Sequence, residues 1–146
     1  MATLTSTAVA NNTMRQVHTG VNALSVDFNA GATAISISAT TILMARIPHG
    51  ATIVGITSLV TSGAATTPYD LGIGGGVNDN LSAFGNAIAA GAISHGEFGL
   101  PYDVSVTDTA VPYETLAVTV TPASVTASVK VSLTVLYTMD QNRVYR

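Results

Sequence analysis

Val129, Val131, Leu133, Val135 and Tyr137 occupy every second position, with Lys130, Ser132 and Thr134 between them. Alternation of that length puts five apolar side chains on one face of an extended strand and the polar ones on the other. A helix would scatter the same residues around its circumference. The period of two recurs at Leu24, Val26 and Phe28, at Tyr102, Val104 and Val106, and at Leu116, Val118 and Val120. It also runs through Ile35, Ile37, Ala39, Thr41, Leu43, Ala45 and Ile47, which predicts a strand with one buried face. Residues 51–61 are apolar on both sides, with Val54, Ile56 and Val60 against Ile53 and Leu59, as a central strand requires. A short strand is expected over 68–73.

Turn chemistry separates these runs. Asn29-Ala30-Gly31 reads as a turn, and Ile47-Pro48-His49-Gly50 places proline where φ is preset and glycine at the favoured fourth position. Residues 121–127, with Pro122, are expected to join the last two strands as an antiparallel hairpin. Helical spacing occurs only in 78–91, at Leu81, Phe84 and Ile88, with Asp79 as a cap; Gly85 weakens it, so a turn or two of helix or a structured loop is expected. About eight short strands and at most one short helix argue for an all-β fold, an antiparallel β-sandwich or barrel. The chain divides into an extended N-terminal arm over 1–15, a β-domain over 16–138 and a C-terminal tail over 139–146. At 146 residues it can bury a core without staples, and with no cysteine it has no disulfide framework.

The segment LGIGGGVNDN, residues 71–80, raises the question of a phosphate cradle, because glycines let a backbone approach an anion. The dinucleotide fingerprint fails: Val77 stands where the third small residue belongs, and no lysine precedes Lys130 to serve a P-loop. Asp70, Asn78, Asp79 and Asn80 offer hard oxygen ligands, but Val77 again breaks the calcium repeat and the unit does not recur. Asp and Asn in turns more often bond their own backbone. His18, His49 and His95 are not spaced as metal ligands, and Ser94-His95 are neighbours whose side chains diverge on a strand. Asp103 and Asp108 cannot be placed as a catalytic pair. Tyr69, Tyr102 and Tyr113 are expected at sheet ends with their hydroxyls in water. No enzyme chemistry, cofactor or metal is expected.

Charged residues make up 9% of the chain, against roughly 25% in typical soluble domains. Such a neutral Ser, Thr, Asn and Gly surface suits either a component packed into an assembly or a Thr-rich β-domain. Five Lys and Arg and a net charge of −3 remove the electrostatic basis for nucleic-acid binding. The most hydrophobic stretch, 34–60, is interrupted by Arg46, Pro48, His49 and Gly50, so no membrane span is expected. The first 15 residues lack the pattern of a secretory signal.

The run ARIPHGATIVGITSLVTSGAATTPYDLGIG, residues 45–74, resembles a segment of tailed-bacteriophage virion proteins, in which an IPxGAxI turn and strand leads to a DxGxG strand end. The later PYDVSVTDTAVPYETLAVTVTPASVTASVKVSLTVLY is similar to their closing strands, so the resemblance covers about residues 40–138. It implies a jelly-roll-like β-sandwich that decorates or cements a capsid, carries no catalytic residues, and is often a homo-oligomer, with a trimer favoured. The implied partner is the major capsid protein, and the implied location is the capsid surface of a virion assembled in the host cytoplasm. On that reading Met14, Arg15, Asn142, Arg143, Tyr145 and Arg146 are the expected contact residues. A receptor- or glycan-binding module of a head fibre or tail is the alternative.

Overall fold

A computed structural model of the chain describes residues 2–6, 9, 21–30, 39–61, 68–76, 79–91, 93–95, 99–105, 113–120 and 129–139. Within them lie ten strands: β1 Ala2–Thr5, β2 Val21–Asn29, β3 Thr40–Pro48, β4 Ala51–Thr61, β5 Tyr69–Ile73, β6 Asn80–Ile88, β7 Ser94–His95, β8 Tyr102–Asp103, β9 Tyr113–Val120 and β10 Lys130–Met139. One sheet has the order β1-β3-β9-β5-β6; the other runs β2-β10-β4-β7, with β8 also paired to β4. Setting β1 aside and counting β7 and β8 as one position leaves eight. One sheet then holds the second, seventh, fourth and fifth side by side, and the other the first, eighth, third and sixth. That is jelly-roll connectivity. All pairs are antiparallel except β1 with β3.

The core lies between the sheets. Ile42, Leu71, Leu116 and Val118 face it from one side, Ile53, Val60, Leu133 and Tyr137 from the other, each at most 2% exposed. In β10 the alternation predicts the observed strand directly: Val131, Leu133, Val135, Tyr137 and Met139 are buried. β4 is central, as its apolar character on both sides requires, but its inward set is Ile53, Ile56, Ser58 and Val60. The register slips between Leu136 and Tyr137, so that Gly55 and Ile53 oppose consecutive β10 residues and Val54 bulges out. A second bulge, at Met44, divides β3. Thr40 and Ile42 face inward before it, Ala45 and Ile47 after it, so the expected single face through Thr41, Leu43, Ala45 and Ile47 does not exist.

Two further expectations are corrected. β9 and β10 do not form a hairpin: β9 lies between β3 and β5, and β10 lies between β2 and β4 in the other sheet. A turn-bearing linker between two alternating runs serves equally well to cross from sheet to sheet. Residues 80–88 are strand, not helix; their pairing with β5 skips from Asn80 to Gly85 and again from Gly85 to Ile88. Extra bulged residues, rather than helical turns, space Leu81, Phe84 and Ile88 by three and four. At the start of the chain Ala2–Thr5 forms β1, with Leu4 packed against the core. Beyond it Ser6 is fully buried; its N–H donates to Leu43 O at 2.8 Å and its hydroxyl to Met44 O.

The Pro-His-Gly turn is present, and it carries the chain from one sheet to the other. Gly50 has φ 92°, a left-handed conformation that favours glycine, and its N–H donates to Val104 O at 3.1 Å.

Candidate functional site

The glycine loop packs against its own sheet. A Cβ on Gly72 would lie 2.1 Å from Asn80 O and 2.4 Å from Leu81 C, so the start of β6 crosses β5 where only a hydrogen fits. Gly74 then comes down on Ala117 and Leu81, and Gly75 on Leu43, each within 3.0 Å of a built Cβ. The loop therefore roofs the outer side of β3 and β9, which is why Ala117 is fully buried on an outward position. Its carboxylates are held by backbone: Asp79 Oδ1 accepts from Gly76 N and Asp70 Oδ1 from Ala87 N, both at 2.8 Å. Among the described residues no group of three or more His, Asp and Glu could hold a metal ion.

Ser94 and His95 diverge as strand neighbours must. His95 Nδ1 lies 3.3 Å from Thr57 Oγ1 in an exposed pair. Ser94 instead pairs in register with buried Ser58. Tyr69 and Tyr102 depart from expectation. Tyr69 is 1% exposed, with its hydroxyl 2.9 Å from Ser58 Oγ; burial raises its pKa, against the lowering effect of bonds to Ser58 and Ser94. Tyr102 donates to Glu114 Oε2 at 2.7 Å and meets Phe84 edge-on at 5.4 Å, tying β8 of one sheet to β9 and β6 of the other. Burial pushes the Glu114 carboxyl up, against the opposing effect of the Tyr102 bond, and pushes the Tyr102 hydroxyl up as well. Tyr113 lies under the Arg46 guanidinium, 4.4 Å from ring centroid to Cζ. A hydroxyl with a partner can be buried, which the sequence pattern around these tyrosines does not reveal.

The outer face of the β2-β10-β4 sheet is different in kind. Its rows, read across the strands, are Ser25, Thr134 and Thr57, then Asp27, Ser132 and Leu59, then Asn29, Lys130 and Thr61. Ser25 and Thr134 share a hydrogen bond of 2.9 Å. Towards the end of the sheet where β10 finishes, the character changes to Ala23, Leu136 and Gly55, with Val21 and Val54 beside them. Sequence reading missed this patch. The signal was present in Leu136, which breaks the polar side of the β10 alternation after Lys130, Ser132 and Thr134.

The contact residues expected from sequence, Met14, Arg15, Asn142, Arg143, Tyr145 and Arg146, lie outside the described residues, as do His18, Asn78 and Asp108. No protein-family model and no curated protein sequence matches the chain. Solved structures do. A chain of the capsid of Ralstonia phage GP4 is similar with a TM-score of 0.72 and 20% identity, over 96% of this chain and 99% of that one. The fold is that of a phage capsid chain. A chain of the cyanophage Pam1 capsid asymmetric unit is similar with a TM-score of 0.62 and 16% identity, over 88% of this chain and 96% of that one.

Proposed function

We propose that this chain is a structural protein of a bacteriophage virion, which decorates the capsid and cements it by binding across major capsid protein subunits. The observation that carries the reading is the two-way coverage: 96% of this chain and 99% of the GP4 capsid chain correspond, so the whole jelly roll is alike and not a fragment of it. The neutral surface agrees, since charge-poor, hydroxyl-rich faces lose little on being buried. The mechanism is passive and needs no cofactor. A rigid sandwich sits over junctions between shell subunits, and each interface it makes must separate before the shell can open. The chain acts as a homo-oligomer, with a trimer the favoured form, on the capsid surface of a virion assembled in the host cytoplasm. Met14, Arg15, Asn142, Arg143, Tyr145 and Arg146 are the proposed contacts with the shell.

The test mixes purified chain with shells that lack it, pellets the particles and images them. Density over capsomer junctions and greater resistance of the shells to heat are the expected results. Loss of residues 142–146 together with Arg15→Ala should weaken co-pelleting. Density confined to a tail or fibre, or no binding to shells, would overturn the reading.

A further inference from the structure

β1 belongs to the sandwich only through β3. The eight positions from β2 to β10 complete the jelly roll without it, and among the described strands it alone makes a parallel pair. Yet the body is built to receive it. Thr3, Leu4 and Thr5 lie in register with Thr41, Ile42 and Leu43, and Leu4 packs against the core. Ser6, fully buried, gives its N–H to Leu43 O and its hydroxyl to Met44 O at the β3 bulge. Val9, 3% exposed, donates its own N–H to Ser6 Oγ at 3.3 Å. A vacated edge would leave those two carbonyls without their donors. The edge of β3 is therefore a strand-accepting groove, which takes an apolar residue, a small hydroxyl two residues on and a second apolar residue three further.

The arm that fills the groove is rooted on the same rim. β2 is the edge of its own sheet and packs against β3, the edge of the other until β1 is added. β1 points along β3 towards the Pro-His-Gly turn, and Val21 lies at that end, in the row of Thr138 and Thr52. From the level of Leu43 to that end is about five residues of strand, which with the ~10 Å between sheets makes roughly 20 Å. Residues 10–20 number eleven and can span up to roughly 40 Å. The connection is about twice as long as the chain's own groove requires.

We infer that copies of this chain exchange β1, so that β1, Ser6 and Val9 of each copy fill the β3 groove of a neighbour. In a lone copy the groove is filled by the copy's own strand. Between copies the same contacts form residue for residue, so exchange forfeits nothing in the groove, and at the high local concentration of an assembly a neighbour's strand competes with the resident one. Each copy has one strand and one groove, so exchange closes as a ring of two or three with neither left over. These residues are distinct from the proposed shell contacts. The inference rests on the homo-oligomeric part of the proposed function, and it is measured without shells, so its failure leaves shell binding to be judged separately.

The chain has no cysteine, so a disulfide placed across the pair reports whose strand is in the groove. The test oxidises the register partners Thr3→Cys/Thr41→Cys in the full chain at tens of micromolar and runs a non-reducing gel. Exchange gives covalent dimers or trimers in which mass spectrometry of the digest joins position 3 to position 41, and a mixture of the two single variants gives a bonded pair. A monomer closed by an internal bond would overturn the inference. If that pair fails to fold or to bond, Thr5→Cys/Leu43→Cys repeats the test on the same face, and no bond from either takes β1 off the groove and overturns it too. Sedimentation velocity gives a reading that needs no bond. Ser6→Glu puts a charge where the side chain is fully buried; it should displace the strand, keep the β circular dichroism and weaken association at least ~10-fold. A monomeric wild type, or a folded Ser6→Glu protein as oligomeric as wild type, sinks the exchange.

Discussion

Gly72→Ala tests whether the glycine loop exists to let one strand cross another. The new Cβ would stand 2.1 Å from Asn80 O, 2.4 Å from Leu81 C and 2.6 Å from Leu81 O, and all three atoms are backbone. No rotamer change can relieve them. The start of β6 has to retreat by roughly 1 Å, and a gap of that size forfeits up to about half of each dispersion contact it opens. The contacts at risk include Leu81 with Gly74 and the cover that this segment provides over Ala117. Overpacking of this kind costs about 3 kcal/mol, which for a domain of this size lowers the Tm by about 10 °C. Gly55→Ala is the matched control: its Cβ would meet Leu136 Cδ1 at 3.6 Å, an ordinary contact. It should leave stability level or raise it by about 0.5 kcal/mol through the unfolded chain. Thermal melts followed by circular dichroism compare the two. A Gly72→Ala protein that melts within about 2 °C of wild type would refute the reasoning, because β6 could not then be crossing at Gly72.

Tyr69→Phe leaves buried Ser58 without the phenol oxygen 2.9 Å away and should cost about 1–2 kcal/mol by urea denaturation. Glu114→Gln should stabilise the protein relative to wild type at neutral pH. Burial raises the folded-state pKa of Glu114, so wild type has its full stability below the unfolded carboxyl value of 4.5 and loses some as pH rises through the raised one. Melting both proteins from pH 4 to 8 should show a gap that opens with pH; a constant gap would contradict the burial. Removing residues 2–6 uncovers the edge of β3 and the Ser6 anchor, and should lower stability by about 1–2 kcal/mol and promote aggregation seen by light scattering.

The strands with an uninterrupted period of two were legible. β10 follows its alternation from Val131 to Met139, and the core it contributes is the one its apolar residues predict. What escaped were places where a single extra residue resets the face. Met44 and Val54 each divide a strand, and the skipped residues of β6 imitate helical spacing. A bulge leaves no mark in a periodicity count because both halves remain regular. The partner of β9 was illegible for another reason. Local pattern states that two runs are strands, but whether they lie side by side or in facing sheets is settled by which other edges are already taken. The exposed patch was readable at Leu136 and invisible at Val21 and Val54, whose positions depend on register.

The order in which the strands are made has a consequence for how the molecule comes to exist. β9 stands between β3 and β5, and β10 between β2 and β4, so each sheet receives its middle strand last. A nascent chain that has not yet reached β9 has the flanks of both layers and the centre of neither. Until both middle strands have been made the edges of β2, β3, β4 and β5 are open to strangers, so crowded translation or a stop before β9 favours entanglement over a shortened product that folds.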